Sequence, residues 1–182
     1  MQKWIHTLLV CLTFALPALA ADEAASPAPQ PGQPAPAFRL QDQGGAWRTL
    51  EQYRGQWVVL YFYPKDMTPG CTIEARNFQR DQAAYAARGA TVLGVSVDDV
   101  NSHKQFCTKE SLQFHLLADT DKKVSDAYGS LNNFLVVKLA ARHTFVIDPK
   151  GKIARVFGDV KPSTHSQEVL AALDSLGARP RP

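Results

Sequence analysis

The stretch Trp57-Val58-Val59-Leu60-Tyr61-Phe62-Tyr63-Pro64-Lys65-Asp66-Met67-Thr68-Pro69-Gly70-Cys71-Thr72 runs from an apolar segment into a helix start and places a cysteine at the junction. Residues 57–62 are apolar without alternation, as in a central strand covered on both faces. Thr68 is a good N-cap, Pro69 suits the first helical position, and Gly70 and Cys71 follow. Cys71 therefore falls in the turn whose N–H groups lack helical partners. Cys71, Ala75, Phe78 and Tyr85 are spaced to lie on one face of a single helix, which Arg88-Gly89 closes. A second apolar run, Thr91 to Val97, completes a strand–helix–strand unit, so its two strands should be parallel.

Further helices are expected over Val100 to Ser111, over Asp121 to Tyr128, and from Thr164 onward, where Gln167 would complete a capping box. His143–Ile147 and Ile153–Phe157 flank the turn signal Asp148-Pro149-Lys150-Gly151 and read as a hairpin. This order predicts an α/β, thioredoxin-like fold, a mixed central β-sheet with helices on both faces. Other small α/β folds fit the pattern as well, so the site has to decide.

The globular part is expected to span residues 37–178, one domain with its own core. Residues 1–20 read as a secretory signal: Lys3, an apolar run from Thr7 to Leu19, and the A-x-A site Ala18-Leu19-Ala20. The run is shorter than the roughly 20 residues of a membrane span. Residues 21–36, with Pro27, Pro29, Pro31, Pro34 and Pro36, read as a disordered tether, and 179–182 as a flexible tail. The expected location is therefore outside the cytoplasm, in a bacterial periplasm, with no stable membrane contact after cleavage. The formal charge of +3 becomes +2 without Lys3, which gives no reason to expect nucleic acid as a partner.

Cleavage removes Cys11 and leaves Cys71 and Cys107. An even pair in an exported chain points to a disulfide, permanent or cycling. A helix N-terminus favours a reactive thiolate at Cys71. It is not sufficient alone. Moving a thiol pKa from about 8.5 to about 6 takes ~3.4 kcal/mol at ~1.36 per unit, and a helix end supplies about 2 at best. A nearby Arg would make up the difference. Arg142, at the start of a strand, is the candidate, although spacing alone does not exclude an ordinary strand-edge charge.

Pro64-x-x-x-Thr68-x-x-Cys71 resembles the active-site signature of the peroxiredoxins. Residues 63–75 are similar to the bacterioferritin comigratory protein, or peroxiredoxin Q, group. Gly94-Val95-Ser96-x-Asp98, Ser102-His103-x-x-Phe106, Leu116-Leu117-Ala118-Asp119 and Arg142-x-Thr144-Phe145-x-Ile147-Asp148 extend the likeness over residues 37–175. The resemblance implies a thioredoxin-dependent peroxidase acting on hydrogen peroxide and organic hydroperoxides. In it Cys71 would be the peroxidatic cysteine. Pro64 would shield the sulfur, Thr68 would bridge it to the peroxide, and Arg142 would hold both. Glu74 would either orient the site or simply sit well in a first helical turn. No bound cofactor and no metal is implied, and electrons would come from a thioredoxin-like reductant.

Many relatives carry a second cysteine five residues after the first, where this chain has Arg76. Either an external thiol resolves the oxidised sulfur, or Cys107, 36 residues on, does so, as in some members of the group. Packing is the plain alternative for a helical Cys. A Cys71–Cys107 disulfide would then form only after the first turn of the helix unwinds. An internal resolving pair also removes one reason to dimerise, so a monomer is expected. His103, His115, His143 and His165 lack zinc-like spacing. His103, one turn before Cys107, is either a helper base or a surface residue. Asp98-Asp99 reads as a helix cap. Competing functions are a disulfide oxidoreductase, which would want a cysteine where Thr68 stands, a copper carrier, and a structural domain stapled by the two cysteines.

Overall fold

A computed structural model describes residues 27–134 and 137–178. The expected signal (1–20), the first part of the tether (21–26) and the tail (179–182) lie outside the described residues. In chain order the strands are β1 (Arg39–Asp42), β2 (Trp47–Thr49), β3 (Trp57–Phe62), β4 (Ala90–Ser96), β5 (His115–Ala118), β6 (Leu131–Phe134), β7 (Val137–Ala140), β8 (Thr144–Ile147) and β9 (Ile153–Phe157). The helices are α1 (Pro69–Arg80), α2 (Gln82–Ala87), α3 (Val100–Glu110), α4 (Lys123–Ala127) and α5 (His165–Ser175).

Seven strands form one mixed sheet in the order β2-β1-β5-β4-β3-β8-β9. The β3–β4 and β4–β5 pairs are parallel, and β8 and β9 run antiparallel beside β3. Chain direction across β3, β4 and β5 is constant. Right-handed crossovers therefore put α1, α2 and α3 on one face. The residues of β3 sort accordingly. Val59, Tyr61 and Tyr63 join a cluster with Cys71, Phe78, Tyr85, Phe106, Cys107 and α5. Val58, Leu60 and Phe62 join Phe38, Leu50, Val124, Tyr128 and Phe145 on the other face. Continuous apolarity in 57–62 thus reflects two covered faces, and the predicted thioredoxin-like fold is the one observed.

Several local expectations are corrected. The helical face from Cys71 to Tyr85 is buried, but it spans two helices that meet at Asp81. Asp81 turns out of line to receive Arg80, Ser166 and Gln167, so its carboxylate anchors the start of α5. Gln167 is thereby spent on Asp81, and no capping box forms; the Thr164 hydroxyl donates to Glu168 Oε1 at 2.6 Å. Two antiparallel pairs, β1–β2 and β6–β7, are additional to the expected elements.

The expected disorder of residues 21–36 does not extend over 27–36. Gly32 N donates to Ile153 O (2.8 Å), Ala35 N to Gly151 O (3.0 Å) and Ile153 N to Gln33 O (2.9 Å). The Tyr128 hydroxyl reaches Pro36 O at 2.8 Å, and Ala28 and Ala35 pack on the second cluster. Proline forbids donation but favours extended backbone, and an extended segment can lie along a turn through its other groups. The packed domain therefore begins before residue 37.

Candidate active site

The β3–α1 connection is pinned before it delivers Cys71. Asp66 N donates to Asp98 Oδ2 (2.8 Å) and the Thr68 hydroxyl to Lys65 O (2.9 Å). Met67 is forced to φ 60°, a left-handed value unusual for a side-chain-bearing residue. Thr68 then takes the N-cap position with extended backbone, and Pro69 opens α1 as expected. Thr72 N to Thr68 O (2.9 Å) is the first helical hydrogen bond, so the N–H groups of Gly70 and Cys71 have no acceptor within the helix.

Cys71 is 1 % exposed. Arg142 arrives from the β7–β8 connection, and its Nη2 donates to Cys71 Sγ at 3.4 Å. Its Nη1 forms an ion pair with Glu74, one turn further along α1. Burial pushes the Glu74 carboxyl up to about 7, although Arg142 pulls the other way. Gly70 lies beside the guanidinium: a Cβ there would be in ordinary contact, 3.4 Å from Arg142 Nη2. Arg142 is thus in direct contact with Cys71, and Glu74 holds the other terminal nitrogen of its guanidinium. Glu74 is legible in sequence only as a first-turn carboxylate; its buried pairing needs the fold.

Pro64 is half-buried at the end of β3, and Thr68 at the N-cap gives its hydroxyl proton to the loop. Cys107 sits on α3, 8 % exposed, in the same apolar cluster as Cys71, and both are free thiols. Burial, then the negative charges of Asp66 and Asp42, push the Cys107 thiol up to about 12. Tyr61, on β3, shares the apolar cluster that holds Cys71 and Cys107. Its hydroxyl is buried without a hydrogen-bond partner among the described residues, and its ring stacks on Tyr63 and tilts against Phe78. His103 is fully buried, contrary to the expectation of a surface residue. Arg76, where relatives carry the nearby second cysteine, pairs with Glu110 across α1 and α3. Asp99 caps α3, accepting from Ser102 N at 2.8 Å. The cysteine, the guanidinium and the unpaired helix N–H groups together can hold a sulfur anion and an oxygen that gains charge beside it.

Comparisons with known proteins agree. Residues 31–156 match the AhpC/TSA family. A putative peroxiredoxin bcp of Helicobacter pylori is 40 % identical over 146 residues, covering 78 % of this chain and 96 % of that protein. The solved structure of Mycobacterium tuberculosis BcpB superposes with a TM-score of 0.76 at 32 % identity, covering 81 % of this chain and 98 % of that one. The Xanthomonas campestris bacterioferritin comigratory protein, solved in trapped intermediate and ligand complexes bearing on its alkyl peroxide reduction activity, gives 0.74 at 36 % identity, covering 78 % and 92 %. Two cysteine-to-serine variants of X. campestris peroxiredoxin Q are among the matching structures, at sites 36 residues apart, the separation of Cys71 and Cys107 here. By family model, sequence and structure alike, the chain belongs to the AhpC/TSA family, among the peroxiredoxins of the Bcp/Q group.

Proposed function

We propose that this thiol peroxidase uses Cys71 as its nucleophile and Cys107 as the resolving thiol. The observation that carries the reading is the Arg142 Nη2 to Cys71 Sγ contact of 3.4 Å at the unpaired N-terminus of α1. The Cys71 thiolate attacks one peroxide oxygen in line with the O–O bond. That bond breaks, an S–O bond forms, and the leaving oxygen departs as water or alcohol after taking up a proton. Cys71 is left as a sulfenic acid. Arg142 contacts the sulfur, and the N–H groups of Gly70 and Cys71 lack helical acceptors at the same helix start, so donors already in place would meet the charge as it moves to oxygen. Pro64 limits water at the sulfur, and Thr68 turns its hydroxyl to the bound peroxide.

Cys107 then attacks the sulfenic sulfur, giving a Cys71–Cys107 disulfide and water. Both thiols are buried, so the first turn of α1 opens for this step. The equal 36-residue separation in the X. campestris variants supports the pairing. A thioredoxin-like dithiol restores both cysteines. The alkyl peroxide activity of the X. campestris protein supports organic hydroperoxides, beside hydrogen peroxide, as substrates. The signal-like pattern of residues 1–20 supports export to a periplasm, and the internal pairing supports a monomer. Single-turnover oxidation of wild type, Cys71→Ser and Cys107→Ser, read by mass spectrometry, tests the assignment. Cys71→Ser should take up no oxygen, and Cys107→Ser should stop at the sulfenic acid.

A further inference from the structure

Cys107 needs to lose a proton before its sulfur can attack, and its surroundings work against that. It is buried in an apolar cluster, with two carboxylates acting on it, so the thiol holds its proton well above neutral pH. A base close by would relieve the difficulty. The structure places a buried imidazole one helical turn away.

His103 is 0 % exposed. Its Nδ1 lies 2.8 Å from Asp66 Oδ2. Asp66 also accepts from the Ser102 hydroxyl (2.7 Å) and the Tyr63 hydroxyl (2.7 Å). Burial pushes the Asp66 carboxyl up, but these hydrogen bonds, led by that of His103, outweigh it and hold the group below the usual range. An ionised Asp66 needs a proton on Nδ1, so in the neutral ring the lone pair lies on Nε2. Nε2 is buried without a hydrogen-bond partner among the described residues. An acid–imidazole pair with its outer nitrogen unused is costly as a packing solution, and such buried polar atoms call for a role.

His103 and Cys107 are four residues apart on α3 and share its buried face. Neighbours at this spacing have Cβ atoms about 5–6 Å apart. Side chains on a helix also tilt toward its N-terminus, so Cys107 leans back over the turn that carries His103. The relation lies within one helix and survives any movement of α1.

We propose that His103 is the general base of the resolving step, taking the proton of the Cys107 thiol on Nε2, and that Asp66 positions it. The proposal rests on Cys107 being the resolving cysteine. The S–H bond breaks, and the proton passes to Nε2. The freed sulfur attacks Cys71, the S–O bond breaks, and hydroxide leaves. His103 returns the proton to it as water. Sulfenic acid and thiol become disulfide and water, with no other reactant. The other titratable groups around the pair are Tyr63 and Tyr61 on β3, Cys71 on α1, Asp98 ahead of α3 and Asp42 on β1. Both tyrosines stay protonated because burial raises them well above their usual range.

The test separates the two chemical steps by rapid quench, alkylation and mass spectrometry after one equivalent of hydrogen peroxide. His103→Asn keeps a donor facing Asp66 and removes the free lone pair. In that variant the Cys71 sulfenic acid should form and then persist, with disulfide formation slowed on the order of 10²-fold. Its residual rate should climb about tenfold per pH unit, as for a thiol ionising unaided, whereas the wild-type rate should level off. A disulfide rate within about twofold of wild type, with an unchanged pH profile, would overturn the proposal. If His103→Asn does not fold, the wild type decides. A rate rising with unit slope from about pH 6 to about pH 9 contradicts a base, and a plateau supports one. Cys107→Ser keeps the underlying reading separate, because a disulfide that still forms there removes the resolving assignment, whatever His103 does.

Discussion

Arg142 touches Cys71, 71 positions earlier in the chain, through Nη2 at 3.4 Å while its other terminal nitrogen is held by Glu74. The two residues come from separate connections, the start of α1 after β3 and the segment leading into β8. The pairing of β3 with β8, Tyr61 opposite Thr144, sets that connection beside the carboxyl end of β3. Sheet register therefore determines the distance between sulfur and guanidinium.

Replacing Arg142 with Met should lower the second-order rate of Cys71 oxidation by about 10²–10³. Lys should recover only part of the loss, because a single ammonium cannot hold Glu74 and the sulfur in a planar fork. Stopped-flow peroxide consumption checks both. Rates equal to wild type would make Arg142 a strand-edge charge.

Glu74 and His165 should give stability opposite pH dependences. The Glu74 carboxyl rises from 4.5 to about 7, so its contribution is full below 4.5 and is lost as pH rises through about 7. Burial lowers His165 from 6.5 to about 4, so its contribution is present above 6.5 and is lost as pH falls through about 4. Each shift corresponds to ~3 kcal/mol across its window. Urea titrations should show Glu74→Gln gaining on wild type as pH rises from 4.5 to about 7. His165→Gln should gain as pH falls from 6.5 to about 4. Differences that stay constant with pH would contradict the burial argument.

Gly94 is expected to tolerate no side chain. A Cβ there would lie 2.7 Å from Leu116 Cδ2 and 2.8 Å from Tyr61 Oη, inside the parallel core of the sheet. Gly94→Ala should cost about 1–3 kcal/mol by overpacking, read as a lower urea midpoint. Because Tyr61 belongs to the Cys71 cluster, slower peroxide reduction should accompany the loss. An unchanged midpoint would mean that Tyr61 moves freely.

The legible parts of this molecule are those governed by local chemistry. Thr68-Pro69 marks the start of α1 because capping and proline geometry act within a few residues, and the unbroken apolarity of 57–62 marks a strand covered twice. What escapes the sequence depends on distant partners. Residues 27–36 look disordered by composition, yet their carbonyl and N–H groups find the 151–153 turn. Asp81 interrupts a periodic helix only because α5 brings Ser166 and Gln167 to it. The short β1, β2, β6 and β7 carry too few residues for a period to show. His103 on α3 is the clearest case: its polar side chain reads as surface until Asp66, from the β3–α1 connection, explains how it is buried.

Cys71 as the reacting atom is tested most directly by adding one equivalent of hydrogen peroxide to the reduced protein and following oxidation of each cysteine by rapid quench and mass spectrometry. The account requires one oxygen to appear first on Cys71, orders of magnitude faster than on free cysteine, and then to give way to a Cys71–Cys107 disulfide. Oxidation of Cys71 at the rate of the free amino acid, or first oxidation at Cys107, would contradict it.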